Sequence, residues 1–225
     1  MILAFTLAAA FLLVLGMSAL LVVCEKGHER AWHWLRGLHK VRGFLLHPAF
    51  FYHPGHTWIM PQANGTVRIG IDDFGQRLLD GIRKVSLPPT GCRVIEGIAA
   101  IELDCGKRKA RLLSPVNGVV TGVNERLTQE SSPLARDPYG KGWLFTAKVS
   151  DQSYVRLPTG ATAAEWLKRE TDQLSLLLHK GLGLTAADGG ELISKPPTML
   201  SEDHWKALVT TFFHTTESEG EMRKE

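Results

Sequence analysis

Between two apolar stretches runs Asp104-Cys105-Gly106-Lys107-Arg108-Lys109-Ala110-Arg111, and Lys107 is the residue in it with the most chemistry to offer. A lysine at a tight turn holds its amine in solvent, where an enzyme can acylate it and a long attached group can swing. Lys109 is a distant second candidate for the same modification. Cys105 lies close to Lys107 among several cations, a setting that favours the thiolate and a redox role. A cysteine near a strand end is more often simply packed. Local sequence alone favours the plainer reading of the whole run, a charged turn that keeps a hairpin soluble.

Other chemistries find less support. His28, His33 and His39 do not share the i, i+4 face that a helical metal site needs, and they read as interfacial. His47, His53 and His56 lie among Pro48, Pro54 and Gly55 with no acidic or cysteine partner nearby in sequence, so no metal is expected there. Cys24, Cys92 and Cys105 cannot all pair, and they show no Cys-x-x-Cys spacing; a reducing compartment fits best. No Ser/His/Asp arrangement, phosphate loop or paired-carboxylate signature stands out, which points to a carrier or accessory protein rather than a catalyst. The net charge of +3, without a basic patch interleaved with aromatics, argues against nucleic acid.

The elements that must position Lys107 follow from spacing. The 225 residues suffice for one ordinary core, and 44% hydrophobic with 22% charged residues are globular values. From Thr57 to Val149 short apolar stretches alternate with turns. Asn64-Gly65 predicts a hairpin leading into the alternating Thr66 to Ile71. A short helix is expected over Asp73 to Leu79, capped by Asp72 or Asp73. Further strands are expected at Val85 to Leu87, Val94-Ile95, Ile98 to Leu103, Arg111 to Leu113 and Val119 to Val123. Strands this short with turns this regular predict a mainly β sandwich or barrel with flanking helices. Helices are expected from Ala161 to Lys180, ended by Gly181, and from a Ser201-Glu202-Asp203 cap through Phe213. The segment 153–214 thus reads as a helical extension packed onto the β domain, and 215–225 as a disordered tail.

The first 23 residues carry a separate signal. Ile2 to Val23 contains no charge, and an apolar helix of roughly 20 residues spans a bilayer core. No Lys or Arg precedes the run, and it exceeds the apolar region of about 7–15 residues found in a signal peptide. Residues 1–23 are therefore expected to be one transmembrane anchor in contact with lipid. Lys26, Arg30, Arg36, Lys40 and Arg42 follow it, which predicts a cytoplasmic location for the rest of the chain at the inner membrane. Residues 24–49 form a basic juxtamembrane segment that can continue as a helix lying on anionic lipid, or as a solvated stalk.

Taken in order, His56-Thr57-Trp58, Asn64-Gly65-Thr66-Val67-Arg68-Ile69-Gly70-Ile71-Asp72-Asp73-Phe74, Leu87-Pro88-Pro89-Thr90-Gly91, Ser114-Pro115-Val116-Asn117-Gly118, Asn124, Asp137-Pro138-Tyr139-Gly140-Lys141-Gly142-Trp143 and Ser150-Asp151 resemble the glycine cleavage system H protein family. The resemblance covers residues 50–152. It implies the flattened β-sandwich of lipoyl and biotinyl carrier domains, with lipoate covalently attached to a lysine in a Glu-Ser-Val-Lys-Ala turn. Lys107 falls at that position, whether counted back from Ser114 or forward from Gly91. Asp104, Cys105 and Gly106 stand where the pattern has Glu, Ser and Val, and Arg108, Lys109 and Arg111 bring positive charge where small and acidic residues are usual. The resemblance implies a carrier that shuttles a group or electrons between partner enzymes, here at a membrane. The alternative is an unlipoylated scaffold subunit of a membrane complex, its basic hairpin contacting a partner or lipid.

Overall fold

The computed structural model describes residues 37–79, 81–182 and 201–215. The apolar run 1–23 and the expected membrane helix lie outside the described residues. Among the described residues, no helix is long and apolar enough to cross a membrane.

Short antiparallel strands dominate. A six-stranded sheet has the order β3(Phe51–Tyr52), β4(Thr57–Pro61), β5(Thr66–Ile71), β11(Trp143–Val149), β10(Gly118–Val123), β7(Arg93–Val94). A three-stranded sheet has the order β6(Lys84–Ser86), β8(Ala99–Asp104), β9(Lys109–Leu113). Alternation sorts their faces. Val67, Ile69, Phe145 and Ala147 from the larger sheet and Val85, Ile101, Leu103, Ala110 and Leu112 from the smaller one are buried, while the residues between them point outward. Burying each of the Val, Ile, Leu and Phe side chains among these contributes about 1.5–3 kcal/mol. This is the mainly β sandwich that the turn spacing predicts, flanked by helices.

The expected turns form where their chemistry is local. Asn64 and Gly65 both take positive φ, 60° and 66°, and join β4 to β5. Helix α1(Asp73–Leu79) starts where Asp72 Oδ1 accepts the Gly75 N–H at 2.6 Å, so Asp72 is the cap. Two short helices, α2(Arg126–Gln129) and α3(Ser132–Arg136), follow β10.

Two expectations need correction. The juxtamembrane segment 24–49 does not continue as a helix through its described part. His39–Val41 and Phe44–Leu46 are strands β1 and β2, paired with each other. Arg42 and Gly43 both sit at positive φ, 48° and 92°, as a two-residue hairpin turn requires. Val41, Phe44 and Leu46 are buried, so the alternation is that of a strand with one covered face. Residue 215 also departs from the disordered tail expected over 215–225, whose other residues lie outside the described ones. Thr215 is buried, and its hydroxyl donates to the Arg111 carbonyl at 3.3 Å, because the end of the last helix runs directly beneath β9.

Helix α4(Gly160–Leu182) buries Ala163, Trp166, Leu167, Thr171 and Leu174, one stripe at helical spacing. Helix α5(Glu202–Phe213) is capped by Ser201, whose Oγ accepts the His204 N–H at 3.3 Å. It buries Trp205, Leu208, Phe212 and Phe213.

Candidate functional site

The carrier hairpin is built by β8 and β9. Asp104 pairs with Lys109, Leu103 with Ala110 and Glu102 with Arg111, leaving Cys105 to Arg108 as the turn. The Cys105 N–H donates to the Arg108 carbonyl at 2.9 Å and closes that turn. Gly106 adopts φ 91°, a conformation that disfavours any residue with a Cβ, and its N–H donates to Asp104 Oδ1 at 2.7 Å. The guanidinium of Arg83 lies against Gly106, 3.3 Å from where a Cβ would stand. A valine in place of Gly106, as in the turn pattern of the resembled family, would be strained here.

Lys107 is exposed at the apex, and its amine makes no hydrogen bond or ion pair with the described residues. Lys109 is also exposed but differently held. Its Nζ donates to Glu102 Oε1 at 2.7 Å, and that hydrogen bond raises its pKa and lowers that of Glu102. Arg111 contacts the same carboxylate at 3.5 Å. Cys105 is a half-buried thiol outside any disulfide, behind the apex. Among the described residues, no cluster of His, Cys, Asp and Glu is arranged to hold a metal.

The last helix reaches the hairpin. Arg108 Nε lies 3.3 Å from Glu202 Oε2, and its guanidinium stands over the Trp205 ring at 5.3 Å. Lys107, Arg108, Lys109 and Arg111 on one side and Glu202, Trp205, Val209 and Thr215 on the other line a cleft of about 290 Å³. Arg108→Ala is expected to cost on the order of 1 kcal/mol. Amide exchange should accelerate across residues 202–213 while β8 keeps its protection. Uniform exchange throughout would mean that Arg108 does not hold α5.

Beneath this surface lies a polar cluster that the histidine pattern did not reveal. His56 is fully buried, with Nδ1 2.9 Å from Asp72 Oδ2 and Nε2 3.8 Å from Glu170 Oε2. Phe74, Trp166, Phe212 and Phe213 surround its ring. Burial opposes the charged imidazolium, but Asp72 and then Glu170 outweigh it and push the pKa up to about 9. His53 behaves oppositely: burial lowers it to about 4, and its neutral Nδ1 accepts the Gly55 N–H at 3.0 Å. The signal for His56 was the aspartate before α1, which caps the helix with one oxygen and keeps the other for the imidazole.

Comparison with known proteins bears on residues 50–170, which match the family model described as "Glycine cleavage H-protein". The glycine cleavage system H protein of Mycobacterium avium is 38% identical over 104 residues, 46% of this chain and 79% of the relative. That of Marinobacter nauticus is 34% identical over 116 residues, 51% of this chain and 89% of the relative. A solved glycine cleavage system H protein from Mycobacterium marinum is 26% identical, covers 56% of this chain and 98% of its own, and superposes with a TM-score of 0.49.

Proposed function

Because the chain belongs to the glycine cleavage H-protein family, we propose that it is a lipoyl carrier, with Lys107 as the attachment site, tethered to a membrane by its N-terminal apolar run. Members of this family carry lipoate covalently on a lysine, serve partner enzymes of the glycine cleavage system, and are not themselves catalysts.

One observation carries the choice of lysine. Lys107 is the exposed amine at the apex of the hairpin, without a partner among the described residues, whereas the Lys109 amine is engaged by Glu102 on the sheet face. An amine hydrogen-bonded to a carboxylate and raised in pKa is the poorer nucleophile for acylation. The turn fits an acyl-lysine: Gly106 and the Asp104 carboxylate set its shape without occupying the apex, and Arg83 covers the glycine rather than the lysine. A lipoyl amide would supply a dithiolane whose S–S bond opens to a dithiol on taking up two electrons and two protons, or to one thiol and one S-linked group on reductive acceptance of a group from a partner enzyme.

The protein's own contribution is placement. β8 and β9 hold the apex away from the core, the ladder fixes which lysine projects, and Arg108 anchors the base of the turn to α5. Cys105, half-buried behind the apex, stands as the candidate for thiol exchange with the arm. Tethering would convert encounter with partner enzymes into a search over a surface at raised effective concentration. Ile2 to Val23 would form the anchor, with the positive flank from Lys26 to Arg42 retaining the carrier on the cytoplasmic side of the inner membrane.

Intact mass of the full chain, purified from a host with active lipoylation, tests the assignment. A lipoyl increment is expected on the peptide containing Lys107 and should vanish in Lys107→Arg. A bare mass from that host would favour the scaffold reading instead. For the tether, the chain should stay with carbonate-washed membranes; recovery in the supernatant would refute it.

A further inference from the structure

Resting on the assignment of Lys107 as the working lysine, we propose that the outward face of β6, β8 and β9 beside it is the docking surface for an acidic protein partner, whose entrance is lined by carboxylates.

Six cations crowd the hairpin and the strand next to it: Arg83, Lys84, Lys107, Arg108, Lys109 and Arg111. Three carboxylates answer them: Glu102, Asp104 and Glu202. Register places Lys84, Asp104 and Lys109 in one cross-strand row and Ser86, Glu102 and Arg111 in the next, all on the outward side. Within these rows Glu102 is shared by Lys109 and Arg111, and Asp104 Oδ1 is occupied by the Gly106 N–H. Arg83 and Lys84 have exposed side chains for which no carboxylate of the described residues is a partner. Acylation of Lys107 removes one positive charge and leaves this excess in place.

The same face continues into a groove of about 420 Å³ between Pro88, Pro89, Ile95 and Ile98, with Glu102 and Arg111 at its charged end. Ile95 and Ile98 are 45% and 43% exposed, high for isoleucine. Any protein that receives a group from Lys107 must surround this apex, so its surface meets both the cations and the apolar groove. Long-range attraction of opposite charge speeds such encounters and sets orientation. A lipid surface fits less well: Asp104 and Glu102 break the cations into separate spots that a shaped protein rim can match one by one, whereas a flat bilayer presents its charge evenly and cannot fill the groove.

Full-length protein in phosphatidylcholine nanodiscs can be titrated with fluorescein-labelled poly-L-glutamate, a stand-in for a carboxylate-lined rim. Binding should weaken about tenfold in Arg83→Glu/Lys84→Glu and by several-fold in Arg83→Gln/Lys84→Gln, a milder change should the reversal disturb the fold. Arg156→Glu, outside the hairpin and the residues that line the groove, should bind as the unaltered protein does, and salt should weaken all binding. Equal binding by all variants would overturn the proposal. So would amide protection of residues 83–86 and 107–111 that arises in phosphatidylglycerol nanodiscs without the peptide and not with the peptide on phosphatidylcholine. Intact mass of the same samples separates the two readings. A bare Lys107 with hairpin-selective binding removes the carrier and leaves the acidic-partner surface; a lipoylated Lys107 with indifferent binding does the reverse.

Discussion

Replacing His56 with Gln is expected to cost about 3–5 kcal/mol at neutral pH, the range for removing one member of a buried ion pair. The imidazole is fully buried between Asp72 and Glu170, and its removal leaves the buried Asp72 Oδ2 without its cation and the rings of Phe74 and Trp166 without the imidazole they pack against. Glu170 belongs to α4, so the loss should loosen that helix as well as the sandwich. Denaturant unfolding at several pH values checks this, because the two buried histidines act in opposite directions. The His56 pKa rises from the ordinary 6.5 to about 9 on folding. Its stabilisation is therefore complete below pH 6.5 and is lost as pH climbs through 9. The His53 pKa falls from 6.5 to about 4, so its contribution is complete above 6.5 and is lost as pH drops through 4. Between them these histidines favour a stability maximum near pH 6.5. In His56→Gln the alkaline limb should flatten while the acid limb survives. A variant that keeps the full alkaline decline would place the titrating group elsewhere.

Gly70→Ala should be at least as damaging, by about 3 kcal/mol or more, an overpacking cost at the upper end of the usual range. Gly70 is paired with Trp58 across β4 and β5, and the indole lies over it. A Cβ at position 70 would stand 2.3 Å from the Trp58 ring, closer than any side chain can sit. The ring has nowhere to retreat. Its Nε1–H donates to the Ile71 carbonyl at 2.9 Å and to the Pro138 carbonyl at 3.2 Å, and Phe50 and Tyr139 pack against it. Thermal unfolding of Gly70→Ala, Trp58→Leu and the double variant forms a cycle in which the two changes should be strongly non-additive, since the smaller side chain vacates the space that the new methyl needs. Additive losses, or a melting point close to that of the unaltered protein, would show that the indole is free to move.

These sites differ in how far the chain must fold before they exist. Asn64-Gly65, the Asp72 cap, the Ser201 cap and the alternation of β5 are local: their physics acts over a few residues, and their places are readable without a fold. The turn around Lys107 is equally local, which is why its apex lysine could be singled out before its surroundings were known. The Arg42-Gly43 hairpin was not legible, because Arg42 is a poor turn former, a lone Gly43 does not specify a hairpin, and the burial that rewards it comes from Val41, Phe44 and Leu46 meeting a core assembled elsewhere.

Composition and order of residues determined, by themselves, the β character of residues 50–152, the helices that follow, the resemblance to the H-protein family and the candidate lysine. Only tertiary structure decided which lysine is engaged, since the Glu102 carboxylate that holds Lys109 is brought opposite it by strand pairing. It also decided that Arg108 meets Glu202 across 94 residues of chain, and that His56, Asp72 and Glu170 converge on one buried charge. Electrostatic and packing energies depend on distance and burial, and residues remote in sequence acquire both only when the chain has closed.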